Sequence, residues 1–140
     1  MRRYLLTFGL CLMTMMAMLT SCDSDVDQKS PQSVAEAALK YWDARDYEGL
    51  KTLVNPDNKN ANYAVDNMIK MVNKAKENNP EYAPKPETVT RTFKDAKEEF
   101  TGNEITSETR SAKVRFEAEK YPTTVVVEQK DGKWYFESFK

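Results

Sequence analysis

The chain has 140 residues, with 21 basic and 22 acidic side chains and no basic block, which argues against nucleic acid as a partner. It contains no histidine, only two cysteines and only four glycines. Without histidine the commonest general base and transition-metal ligand are both missing, so serine–histidine and cysteine–histidine hydrolase constellations are excluded and zinc centres nearly so. The glycines are too scattered for a phosphate-cradling loop.

Arg2 and Arg3 open the chain, and an apolar run of about fifteen residues follows from Leu5 to Leu19. That is shorter than the roughly 20 residues a permanent span needs. Thr20 and Ser21 are small, and Cys22 comes next. A positive start, a short apolar core and small residues before a cut make up a secretory signal. The run Leu19-Thr20-Ser21-Cys22 resembles the lipobox of bacterial lipoproteins at every position. The resemblance implies cleavage after Ser21, a diacylglyceryl group on the Cys22 thiol and acylation of the new amino group. Two or more acyl chains, at ~0.8 kcal/mol per buried methylene, anchor a protein stably. The expected address is therefore the cell envelope, on the inner or outer membrane and facing the periplasm or the exterior.

Residues 22–29 read as the lipidated cysteine and a flexible acidic tether, polar apart from Val26. Asp23, Asp25 and Asp27 alternate along it. By the same resemblance, acidic residues in this place act as sorting signals. Removal of residues 1–21 leaves 119 residues with 19 basic and 22 acidic side chains, enough for one domain, residues 30–140. Cys11 leaves with the signal and Cys22 carries lipid. The folded part then offers no disulfide, no iron–sulfur cluster and no thiol nucleophile.

Ser30 and Pro31 start a helix, with Ser33 and Glu36 as an alternative capping box. Val34, Ala35, Ala38, Leu39 and Trp42 recur on one face of it. Asp46 restarts a shorter helix with Tyr47, Leu50, Leu53 and Val54 on one side, and Asn55-Pro56-Asp57 ends it. A third helix runs from about Lys59 to Lys76, with a narrow stripe of Ala61, Val65, Met68, Val72 and Ala75. Pro80, Pro84 and Pro86 mark an extended connector.

Strand character begins near Thr88 and continues to Phe93, and a turn is expected at Thr101-Gly102-Asn103. Ala112, Val114, Phe116 and Ala118 alternate with Lys113, Arg115 and Glu117, the period of a half-buried strand. Tyr121-Pro122 connects it to a third strand, Thr123 to Gln129, where Val125 and Val127 oppose Val126 in facing. Lys130-Asp131-Gly132-Lys133 is a tight hairpin signal, and Trp134 and Phe136 share a face after it. Helices followed by strands predict an α+β domain: three N-terminal helices packed on a curved antiparallel sheet of about four strands.

The opening pattern Ser30, Pro31, Val34, Leu39, Asp46, Tyr47, Leu50 and the closing pattern Val126, Asp131, Gly132, Lys133, Trp134 resemble small bacterial lipoproteins of unknown function. Those share the nuclear transport factor 2-like, cystatin-like fold, and the resemblance spans roughly residues 30–140. It implies a sheet wrapped around helices, often with a conical pocket. Some relatives do chemistry there, as ketosteroid isomerases do, while others bind ligands or dimerise through the sheet. Fold alone selects none of these.

Tyr41, Trp42, Arg91 and Trp134 are the candidate pocket residues, with core packing the favoured reading for both tryptophans and the pocket mouth open to Tyr41. Arg91 falls in phase with Val89 and Phe93 and needs a partner if buried. Glu98, Glu99, Glu117 and Glu119 read as a solvated strand face, with base chemistry the alternative for one that points into an apolar pocket. Tyr82, in the connector, is the tyrosine expected to be most exposed. No catalytic residue, metal ligand or cofactor is assigned. The expected role is a non-catalytic binding or interaction module of the envelope, meeting a small apolar ligand or another envelope protein. The alternatives are an isomerase-like enzyme using carboxylate and tyrosine, and a structural lipoprotein that forms a homodimer through the sheet.

Overall fold

The computed structural model describes residues 26–100, 110–120 and 122–140. Three helices precede four strands: α1 (Pro31–Ala44), α2 (Tyr47–Thr52), α3 (Lys59–Asn78), β1 (Arg91–Phe100), β2 (Arg110–Ala118), β3 (Thr123–Lys130) and β4 (Lys133–Phe139). Each helix begins on a side-chain cap. The Ser30 hydroxyl accepts from the Ser33 N–H, the Asp46 carboxylate from Gly49 and the Asn58 amide oxygen from Ala61. These satisfy donors that the first turn leaves open. Glu36 accepts from Gln32 instead of closing a box with Ser33.

Arg45 ends α1 in the left-handed region, at φ 59°. A residue with a Cβ adopts this at a cost of about 1 kcal/mol, and Arg45 offsets it with local contacts. Its N–H bonds the Trp42 carbonyl, its guanidinium lies 5.6 Å from the Trp42 ring, and it pairs with Glu87 at 2.8 Å. The Asp46 N–H closes the turn on the Tyr41 carbonyl at 2.9 Å.

The strands form one antiparallel sheet in the order β1-β2-β3-β4. The fold is therefore α+β, as the segregation of patterns predicts. Asp131 and Gly132 both have positive φ, 51° and 76°, the backbone of the favoured hairpin turn. α1 lies against β2, β3 and β4. It brings Val34, Ala35, Ala38 and Leu39 onto Val114, Val125 and Val127, all buried, while Trp134 and Phe136 close the layer from β4. The middle of the domain is filled by these side chains.

The first strand begins three residues later than the sequence pattern predicts and runs much further. Thr88–Thr90 lie outside it and are exposed, while Lys94–Glu99 belong to it. The register shifts between Phe93 and Asp95, and this bulge reverses the alternation so that no period-two signal survives. Ionic pairing then holds the charged half. Arg115 grips Asp95 with two hydrogen bonds, Lys113 reaches Glu99 at 2.8 Å and Lys94 reaches Glu117 at 2.8 Å. The stripe on α3 is also shorter than expected: Ala61 and Val65 are buried, while Met68, Val72 and Ala75 are only half-buried. The turn expected at residues 101–103 lies outside the described residues.

The free edge of β4 is covered by two incoming segments. The Phe136 N–H donates to the Leu53 carbonyl and the Trp134 N–H to the Gln28 carbonyl, both at 2.7 Å. The Gln28 side-chain amide returns a bond to the Trp134 carbonyl at 3.3 Å, and Val26 packs on the core. Order in the described chain thus includes the stretch that reads as tether, from Val26 onward.

A second bulge inserts Glu137 between Phe136, opposite Val127, and Ser138, opposite Val126. Burial and the neighbouring Glu128 carboxylate push the Glu137 carboxyl above its usual value of 4.5. The folded state thus binds more protons here than the unfolded chain, and the stability this site gives in acid is lost as pH rises through the raised pKa. Asp95, Glu99 and Glu117, held low by their cationic partners, act in the opposite direction. Glu137→Gln should therefore unfold at higher denaturant than the parent at pH 7, with the difference closing below about pH 4. An unchanged difference at both pH values would remove Glu137 as its source.

Candidate functional site

Asp43 occupies the last turn of α1, and Arg91 is the first residue of β1. The connector between the helices and the sheet brings them together. The Glu87 N–H donates to the Asp43 carbonyl at 2.8 Å and the Glu87 carboxylate pairs with Arg45, so the connector is latched to the end of α1 four residues before Arg91. The Arg91 guanidinium then meets the Asp43 carboxylate, with side chains only 14% and 17% exposed. Each also carries a buried atom without a hydrogen-bond partner among the described residues, Arg91 Nε and Asp43 Oδ1.

This pair stands in a cavity of about 230 Å³ between α1 and the start of β1. Leu39, Val89, Phe93 and Phe116 give it apolar walls, the two phenylalanines meeting edge to face at 6.0 Å. Glu36, Lys40 and Asp43 fall four and three residues apart on α1 and supply the polar side. Val89 and Phe93 are 37% and 38% exposed, so apolar surface reaches the rim. A second cavity, of about 590 Å³, shares Val89 and Arg91 and continues the groove past Thr88, Ala118, Lys120 and Thr123. The result is an open cleft at one end of the sheet, with a fixed guanidinium at its centre. Such a site can orient a polar group on Arg91 and cover an apolar body with Val89 and Phe93.

Arg91 is the candidate pocket residue that lines this cleft. Tyr41 is half-buried, its ring so close to Gly49 that a Cβ there would collide with it. Trp42 packs on Phe139 at 4.9 Å and Tyr47 at 5.8 Å. Trp134 is 3% exposed and lies in the core beside Gln28. Sequence reasoning missed Asp43. Its helical spacing from Glu36 and Lys40 was visible, but nothing local links it to a strand residue 48 positions away. Of the four carboxylates, Glu99 and Glu117 are engaged by lysines, while Glu98 and Glu119 are exposed, Glu119 at the rim of the larger cavity. Asp43 is committed to Arg91 and serves as its orienting partner. Tyr63, 68% exposed on α3, is more exposed than Tyr82 at 39%.

Leu19, Thr20, Ser21, Cys22, Asp23 and Asp25 lie outside the described residues. Asp27 is exposed and its carboxylate accepts from the Lys29 N–H at 3.0 Å. Among the described residues, no three histidine, cysteine, aspartate or glutamate side chains gather as a metal site. No helix among them is long and apolar enough to cross a membrane. No protein-family model, curated protein or solved structure matches the chain.

Arg91→Met leaves Asp43 mostly buried without its cation, and Asp43→Leu does the converse to Arg91. Each should lower unfolding stability by about 1–3 kcal/mol. The double variant should lose less than the sum, since it leaves neither charge stranded. Strict additivity in denaturant unfolding would show that the two side chains are not coupled.

Proposed function

We propose that the chain is an exported lipoprotein, anchored through Cys22 to an envelope membrane, whose folded domain is a non-catalytic binding module. The open cleft at Asp43 and Arg91 carries this reading, because it is amphipathic, reaches solvent and has its central charges already paired. Three helices before a four-stranded meander are compatible with the nuclear transport factor 2-like class that the closing hairpin resembles. In this domain the binding groove lies at the end of the helix–sheet layer rather than in a cone within it. The ligand class that fits is a small amphipathic molecule, or the protruding side chain of an envelope protein, with a polar group for Arg91 and an apolar part for Phe93 and Val89.

Location and binding are tested separately. Cys22→Ala should move the protein from the membrane fraction to the soluble fraction, since the acyl chains supply the membrane affinity. Complete retention with membranes would overturn lipid anchoring. For the cleft, Val89→Trp fills the groove at a position already 37% exposed and so leaves the core intact. Mass spectrometry of the protein purified from its envelope fraction should find a retained molecule with the parent and at least a fivefold loss with Val89→Trp. Equal retention, or none with either, would overturn the cleft as a binding site.

A further inference from the structure

The chain enters the fold at one end of the sheet, and the cleft opens at the other. Gln28 is bonded to Trp134 at the start of β4, beside the β3–β4 turn, and Ser30 caps α1 two residues later. α1 then runs 14 residues to its far end, where Asp43 stands; at 1.5 Å per residue this is about 20 Å. The sheet gives an independent measure. Arg91 pairs with Ala118 and Phe116 with Thr123, the end of β3 remote from Lys130 and Lys133. The eight residues of β3 span about 24 Å between the two ends.

The reach of the anchor is shorter than this. Val26 is packed on the core, so only four peptide units separate it from Cys22, at most about 14 Å when fully extended. We infer that the β3–β4 turn and the start of α1 face the anchoring membrane, while the Asp43–Arg91 cleft opens away from it, toward the aqueous side. The inference rests on lipidation of Cys22 as proposed above. An inverted pose, with the cleft on the lipid and the turn uppermost, would lift Gln28, bonded to Trp134 opposite Gln129, about 20 Å above the surface, a height that the six peptide units from Cys22 reach only when fully extended. The cleft is therefore served from water and not by a lipid extracted from the leaflet beneath it.

Single cysteines test the orientation. In the lipoprotein Cys22 is acylated, so Lys133→Cys at the turn and Lys120→Cys at the far end, both exposed positions, each supply one reactive thiol. The full chain is expressed, recovered from membranes, labelled with an environment-sensitive fluorophore and placed in vesicles of phosphatidylcholine and phosphatidylglycerol. Some of the vesicle lipids carry a headgroup nitroxide quencher. Label at residue 133 should be quenched at least twice as strongly as label at residue 120. An eight-residue Gly-Ser insertion between Asp25 and Val26 should reduce the quenching at 133 toward that at 120.

Equal quenching at the two positions, or stronger quenching at 120, would overturn the orientation while leaving the anchor intact. Unchanged quenching after the insertion would also overturn it, because the tether would not be what holds the turn down. Thiol labelling of the parent chain at Cys22, together with failure to join the vesicles, would overturn the anchor and the orientation with it.

Discussion

Two alanines govern how the layers meet. Ala35 and Ala38 are fully buried on α1, and their small side chains let the helix approach the valines of β2 and β3 closely. A larger residue at either position would lift α1 from Val114, Val125 and Val127, and overpacking of that kind typically costs 1–3 kcal/mol. Because α1 sits over β2, β3 and β4, the helix side of β1 is uncovered beyond Phe93. Ala96 and Glu98 pair with Val114 and Ala112 across the strands, and so share their face, yet both are exposed. The cleft arises from this offset: the helix layer ends at Asp43, where the first strand is only beginning.

The two edges of the sheet are treated differently. β4 receives Gln28 and Leu53 along its edge, which removes it as a template for strand addition. β1 carries Lys94, Lys97, Glu98 and Glu99, with a bulge between Phe93 and Asp95, the devices by which exposed edges resist edge-to-edge pairing. The outer-face ion pairs are largely exposed and each contributes little energy. Their effect is on register at Asp95, which faces Arg115 directly, while Glu99 reaches Lys113 diagonally and so offsets the like charge of Lys97 opposite Lys113.

What the sequence makes legible follows from how local each signal is. The caps at Ser30 and Asp46, the Asp131-Gly132 turn and the alternation of β2 depend on residues within a few positions of one another, and the structure agrees with each. The full length of β1 does not, because its bulge breaks the period and its charged half is stabilised by partners on another strand. The cleft is less legible still. Arg91 could be recognised as a cation in an apolar phase, but its partner Asp43 is delivered by the Glu87 latch and the left-handed turn at Arg45, neither of which has a signature in sequence. The aromatic residues that draw attention first, Trp42 and Trp134, are engaged in packing.

The docking of the residues before α1 also sets how firmly the fold fixes its own direction. Among the described residues, two hydrogen bonds at Gln28, each worth about 1 kcal/mol net, and the partial burial of Val26, worth about 1 kcal/mol more, hold this segment to β4. This is small beside the burial of α1. The segment can therefore release without unfolding the domain. Once released, the tether would extend to Ser30, and eight peptide units from Cys22 would reach about 28 Å, comparable to the length of β3. In the orientation proposed above, directionality thus depends on Gln28 and Val26 remaining seated, and not on the stability of the core.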